Sequence, residues 1–270
     1  MKALKFTGLV ALALALSTRL MAQESQQLTV PLSDPGKPYK LNVDLVTGSI
    51  KVSVHDGKDI IIDASAPHGR KEAKESGGMR RLSSGENLDV EAREKNNQVR
   101  ISNNMPNKNV ALDIKIPRGA TNIKLMAVNG GDISVNDVSS DIEASNTNGA
   151  IKLTNISGSA VANTTNGRVL VTFKTLDNKA ALAFTTLNGD VDVTFPATFK
   201  ANLKARSDNG NVFSDFDMVT EKSPSKSTKT AKDGMYRITI EDWVYGKING
   251  GGPELLMKNM NGNIYIRKAK

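Results

Sequence analysis

Apolar and polar residues alternate with period two over short stretches, and most of these stretches begin at a glycine. The template Gly-x-aliphatic-x-(aliphatic or small) recurs at Gly48, Gly131, Gly149, Gly167, Gly189, Gly210 and Gly262. Its alternating pairs are Ile50/Val52, Ile133/Val135, Ile151/Leu153, Val169/Val171, Val191/Val193, Val212/Ser214 and Ile264/Ile266. The positions between them are mixed: Lys51, Ser134, Lys152, Leu170, Asp192, Phe213 and Tyr265. One consistently apolar side at this period predicts strands that bury a single face. A second, weaker strand falls half-way along each repeat, as at Ile142/Ala144, Val161/Asn163, Leu182/Phe184 and Leu203/Ala205. Turn-forming clusters such as residues 138–141 and 156–159 separate the two. Helical periodicity is scarce, so the chain reads as all-β.

Asparagine directly precedes the glycine at Asn148, Asn166, Asn188, Asn209 and Asn261, and the central starts, Gly131 to Gly210, lie 18, 18, 22 and 21 residues apart. Self-similarity at that interval marks a stacked repeat. Two architectures carry such a pattern. Asn-Gly is a strong hairpin signal, which allows an antiparallel β meander or sandwich. In a parallel β-helix each unit of about 20 residues is one coil, equivalent residues lie about 4.8 Å apart, and Asn-Gly occupies a corner with left-handed backbone. A meander needs complementarity between neighbouring strands but no likeness between residues one unit apart. Stacked corners need that likeness, so the β-helix is the favoured reading and Asn148, Gly149, Asn166, Gly167, Asn188, Gly189, Asn209, Gly210, Asn261 and Gly262 form its turn ladder.

The first 22 residues depart from this pattern. Lys2 and Lys5 precede an apolar run over residues 6–16, and a short polar stretch leads to Ala22. This layout predicts a secretory signal peptide cut between Ala22 and Gln23. The apolar run is too short to span a bilayer, which takes about 20 residues. The mature chain, 23–270, is read as one β-solenoid domain that is not transmembrane. Residues 23–62 are its capping segment, and two basic, polar stretches, 66–88 and 219–235, are loop insertions. The expected location is the periplasm, the cell surface or the extracellular space.

Composition narrows the chemistry. There is no cysteine, so disulfides, thiolate metal sites and cysteine nucleophiles are excluded. Loss of Lys2, Lys5 and Arg19 with the leader lowers the formal charge from +8 to +5, a mild excess that permits anionic partners without requiring them. Aromatic residues make up 4% of the chain, which argues against the aromatic girdles of an outer-membrane barrel and against nucleic-acid binding by base stacking.

No catalytic set emerges. His55 and His68 sit in turn sequences without metal-ligand spacing, and no serine occupies a nucleophile elbow. Asp190 and Asp192 share the outer side of one strand and could serve as an acid/base or Ca²⁺-holding pair. Stacking consecutive coils, however, gives the columns Asp132, Ala150, Arg168, Asp190, Asn211 and Ser134, Lys152, Leu170, Asp192, Phe213. Neither adds an adjacent carboxylate, and Asp215/Asp217 is read the same way. The run from Gly250 to Pro253 lacks the lysine and the helix of a phosphate loop and reads as a tight corner. The clusters Arg70-Lys71, Arg80-Arg81, the lysines of 222–232 and Arg267-Lys268-Lys270 read as solubilising charge. No catalytic residue, metal ligand or cofactor is expected, and no binding residue is singled out. An envelope glycan or another surface protein is the expected kind of partner.

The segment ALDIKIPRGATNIKLMAVNGGDISV, the Asn-Gly repeats and the ending GKINGGGPELLMKNMNGNIYIRK resemble a family of bacterial exported "putative adhesin" domains of unknown function. That family is related to autotransporter-adhesin head domains. The resemblance covers residues 40–268 and implies a right-handed parallel β-helix with a non-enzymatic, adhesin-like role at the cell envelope. The alternative function is a polysaccharide lyase or glycosidase on the same architecture.

Overall fold

The computed structural model describes residues 26–66, 88–176, 180–222, 226–232 and 235–270. Its elements are strands, with no helix among the described residues. Successive pairs of strands stack in parallel on two faces joined by a corner. The strands Ile133–Asn136, Ile151–Ser157, Val169–Thr175 and Val191–Phe195 pair in parallel on one face. On the other, Ala120–Asn129, Asp141–Asn148, Ala160–Asn166 and Leu182–Asn188 do the same. Consecutive units are therefore parallel and not the arms of a meander.

Each two-strand unit is a rung. The apolar residues of both strands point between the two faces. In one rung Ile142, Ala144, Ile151 and Leu153 are at most 1% exposed, and the equivalent residues of the neighbouring central rungs are at most 4% exposed. Phe173, Phe184, Phe195 and Phe199 pack together in the core. Phe195 stacks on Phe173 at 5.4 Å and on Phe199 at 4.1 Å between ring centroids.

The order of the rungs departs from the order of the sequence at both ends. Strand Tyr39–His55 runs through both faces and lies between two later units. On one side it pairs with Gln98–Asn103 and Val110–Pro117, on the other with Ala120–Asn129 and Ile133–Asn136. At the other end, Glu254–Asn261 and Ile264–Lys268 slot between the rung of Leu182–Asn188/Val191–Phe195 and that of Ala201–Asn209/Val212–Ser214. The stack thus has eight rungs among the described residues, and the second from each end comes from nearest a chain terminus.

The capping role expected of residues 23–62 belongs to only part of them. Residues 39–55 are an interior rung whose apolar side is buried from both directions, not a cap. The ends are closed by antiparallel strands. Gln26–Val30 pairs with Ile60–Ser65, which pairs with Val110–Pro117. Val90–Lys95 borders Gln98–Asn103. At the far end Val244–Ile248 borders Ala201–Asn209 and is itself bordered by Met218–Lys222.

Residues 219–235 are also not a plain loop. They carry the end of Met218–Lys222 and the strand Lys226–Lys232, which forms a separate two-stranded ribbon with Met235–Glu241. Alternating β-branched Thr228 and Thr230 suit a strand even though apolar residues are few. Of 66–88, positions 67–87 lie outside the described residues, as do the leader and its expected cleavage point at Ala22 and Gln23.

Candidate functional site

The asparagine-glycine corner comes first because it sets the spacing of everything on the outer surface. Asn148 Nδ2 donates to Asn129 Oδ1, Asn166 Nδ2 to Asn148 Oδ1, and Asn188 Nδ2 to Asn166 Oδ1, at 2.7–2.8 Å. The chain of amides continues through Asn261 Nδ2 to Asn188 Oδ1 at 2.7 Å and Asn209 Nδ2 to Asn261 Oδ1 at 3.0 Å. The structure therefore brings Asn148, Asn166, Asn188, Asn261 and Asn209 into one file, in rung order and not in sequence order.

The left-handed backbone expected at the Asn-Gly corner is found at Gly189 and Gly262, with φ 141° and 136°, and at none of the ladder asparagines. Positive φ among described non-glycine residues occurs at Asn96, Asn97, Asp137, Asn155 and Asn249. The glycines are required by close approach. A Cβ on Gly149, Gly167, Gly189, Gly262 or Gly210 would run into the carbonyl of the glycine one rung below. A second, inward file fastens those carbonyls. Asn146, Thr164, Thr186, Asn259 and Ser207 donate to the oxygens of Gly131, Gly149, Gly167, Gly189 and Gly262 at 2.6–3.0 Å.

With the spacing set, the outer surface is uneven. The chain has seven Phe, four Tyr and one Trp. Among described side chains the aromatics that are not buried are Phe213, Trp243, Tyr245 and Tyr265, and all lie at the end of the stack where the C-terminal rung is inserted. On one face the outward column runs Asp192, Tyr265, Phe213. Phe213, 48% exposed, stacks on Tyr265 at 5.3 Å and 12°. Arg267 Cζ lies 5.0 Å from the Tyr265 ring centroid, within cation–π range. Its Nε and Nη2 grip Asp192 Oδ1 and Oδ2 at 2.7 and 2.8 Å. That hydrogen bonding, with the Coulombic attraction of Asp192, pushes the Arg267 guanidinium above its usual range.

On the other face Trp243 is half-buried. Lys204 Nζ stands 4.8 Å and Arg206 Cζ 5.7 Å from its ring centroid. Lys258 adjoins Arg206 in register, and Tyr245 adjoins Lys204. Arg206 also pairs with Asp208 at 2.5 Å. Both faces at this end therefore combine aromatic rings with cations.

The carboxylates weighed from the sequence are otherwise occupied. Asp192 holds Arg267, and Asp190 Oδ1 accepts the Asn263 backbone N–H at 2.9 Å. The expected columns through both residues are corrected: Asn263 and Tyr265 stand where Asn211 and Phe213 were placed, because residues 254–268 enter between the two rungs. Asp215 and Asp217 are exposed. Among the described residues no group of three or more His, Asp or Glu is placed to hold a metal ion. His55 clamps its own turn, with Nδ1 accepting from Gly57 N at 3.1 Å and Nε2 bonded to Asp59 O at 2.8 Å. His68, Arg70, Lys71, Arg80 and Arg81 lie outside the described residues. Gly251, with φ 90°, and Gly252 pack against Asn202 and Lys200, as a corner does.

Residues 139–242 match the family model of Toastrack DUF4097. The Toastrack match takes in the consecutive central rungs and the strands that lead to Trp243. It fits the sequence-level resemblance to an adhesin-like domain of unknown function. Two of the solved structures similar to the chain are the following. One is a "putative cell adhesion protein" from Clostridium sporogenes ATCC 15579, with 12% identity, a TM-score of 0.41 and coverage of 91% of this chain and 100% of that one. The other is a "putative adhesin" from Bacteroides fragilis NCTC 9343, with 12% identity, a TM-score of 0.30 and coverage of 91% and 98%. No curated protein matches. Among the described residues no helix is long and apolar enough to cross a membrane.

Proposed function

We propose that this chain is a non-enzymatic, exported, adhesin-like protein of the cell envelope that binds its partner at the aromatic end of the stack. In this reading residues 1–22 are removed after Ala22. Residues 23–270 then form one right-handed parallel β-helix with coils of about 20 residues, located in the periplasm or at the cell surface. The Toastrack match and the parallel rungs support that architecture.

One observation carries the functional reading. The surface aromatics, Phe213, Tyr265, Trp243 and Tyr245, gather at a single end together with Arg267, Lys204, Arg206 and Lys258. Exposed aromatic and arginine side chains are the residues that dominate binding energy at recognition surfaces. A rigid stack holds them without loop entropy to overcome. The occupied state of Asp190 and Asp192 supports binding over hydrolysis.

The test is retention of the purified mature chain on arrays of envelope glycans and surface proteins. Phe213→Ala/Tyr265→Ala and Trp243→Ala are expected to lower retention by about tenfold or more, as loss of a hot spot does. Lys152→Ala, on the mid-stack surface, should leave it unchanged. Equal retention by all variants, or new reducing ends in the bound glycan, would refute the proposal.

A further inference from the structure

Asn-Gly is the dipeptide most prone to intramolecular deamidation, because glycine leaves its backbone nitrogen free to approach the preceding side chain. This chain exposes a file of such pairs on its surface, and the structure does not treat them equally. Asn148, Asn166, Asn188 and Asn261 have both ends of the side-chain amide engaged in the file. The glycine after each donates its N–H to the asparagine carbonyl one rung further on. These bonds are Gly149 N to Asn166 O, Gly167 N to Asn188 O and Gly189 N to Asn261 O at 2.9 Å, and Gly262 N to Asn209 O at 3.3 Å. Attack by these nitrogens requires the rungs to part first.

Asn209 occupies the outermost rung. Its Nδ2 donates to Asn261 Oδ1, but among the described residues no donor reaches its Oδ1. The Gly210 N–H likewise has no acceptor. Asn209 and Gly210 are both exposed, and the chain beyond is the three-residue strand Val212–Ser214, paired on one side only. Among the described residues, two further Asn-Gly pairs are also held by one end of the amide only. Asn129 Oδ1 accepts from Asn148, and Asn249 Nδ2 is fixed by the carbonyls of Ala197 and Phe199 at 3.0 and 2.8 Å.

We infer that Asn209 is a self-modification site at which the folded protein deamidates in preference to the rest of the file. The Gly210 nitrogen attacks Asn209 Cγ, the new N–Cγ bond closes a succinimide, and the Cγ–Nδ2 bond breaks. Nδ2 leaves as ammonia, carrying the proton lost by Gly210. Water then opens the ring to an aspartyl or isoaspartyl residue. The product has a carboxylate where the amide donated to Asn261 Oδ1, so two acceptors face each other and a negative charge appears at the stack end. The rung that loosens is the one that carries Phe213.

The folded mature chain is incubated in mildly alkaline buffer and mapped by peptide mass spectrometry, beside the same chain in urea. In the folded protein Asn209 should convert about tenfold or more faster than Asn148, Asn166, Asn188 and Asn261, which react only after local opening. In urea the five should react at comparable rates. Equal rates in the folded chain, or the same preference for Asn209 in urea, would overturn the inference. Asn209→Asp should speed hydrogen exchange across 201–214 and leave 141–175 unchanged. Unchanged exchange across 201–214 would remove the structural consequence.

Discussion

Gly167 has the carbonyl of Gly149 against its α-carbon, and its own carbonyl accepts the Thr186 hydroxyl at 2.9 Å. Both features turn on the distance between rungs, so their variants should differ in size. Gly167→Ala inserts a methyl where another rung's backbone already sits. It is expected to cost at least the 1–3 kcal/mol, roughly, of an overpacked core. Thr186→Val keeps the shape and removes one hydrogen bond, and should cost about 1 kcal/mol. Urea denaturation of the two variants checks the ranking, and a larger loss for Thr186→Val would contradict it. The buried Oδ1 atoms of Asn146 and Asn259 have no partner among the described residues. At those rungs the amide serves through its nitrogen alone.

At the scale of strands, the turn that follows Gln26–Val30 is latched by the Glu94 carboxylate. Glu94 accepts from Ser33 N at 3.2 Å, Ser33 Oγ at 2.8 Å and Asn97 N at 2.8 Å. Desolvation opposes its ionised form, but these hydrogen bonds outweigh it and lower its pKa. A lowered folded value means the stabilisation is fully present above the usual carboxylate range and is lost as pH falls through the folded value. Protection of the 26–34 amides, relative to their intrinsic exchange rate at each pH, should therefore fall in acid, and Glu94→Gln should show low protection already at neutral pH. Protection that does not fall in acid in the parent chain would rule the latch out.

Much of this level was legible in the sequence. The period-two alternation identifies the strands of the central rungs, and the Asn-Gly interval identifies residues that stack. What the pattern could not reveal is neighbour order. Gly262-Asn263-Ile264 reads like any other rung, and a short repeat satisfies any adjacent rung equally well. Its place between 182–195 and 201–214 therefore depends on contacts remote in sequence. The aromatic cluster was hidden for the same reason. Phe213 and Tyr265 appear singly as outward residues, and only the inserted rung makes them neighbours. Trp243 gave no periodic signal, because it lies in the short connection before the antiparallel edge strand Val244–Ile248.

For the whole molecule, stability is set by how many rungs cover each other. Phe195→Ala, in the cluster of stacked core rings, should cost about 3–5 kcal/mol, measured by calorimetric melting of the mature chain. A loss under about 1 kcal/mol would mean that the cavity collapses freely. The rung of residues 254–268 has a further consequence. It is the last well-formed piece of the sequence, yet it lies inside the stack. Shortening the protein from that side would not trim a wall at its top. It would pull a course of bricks from below the coping and leave the uppermost course with nothing to rest on.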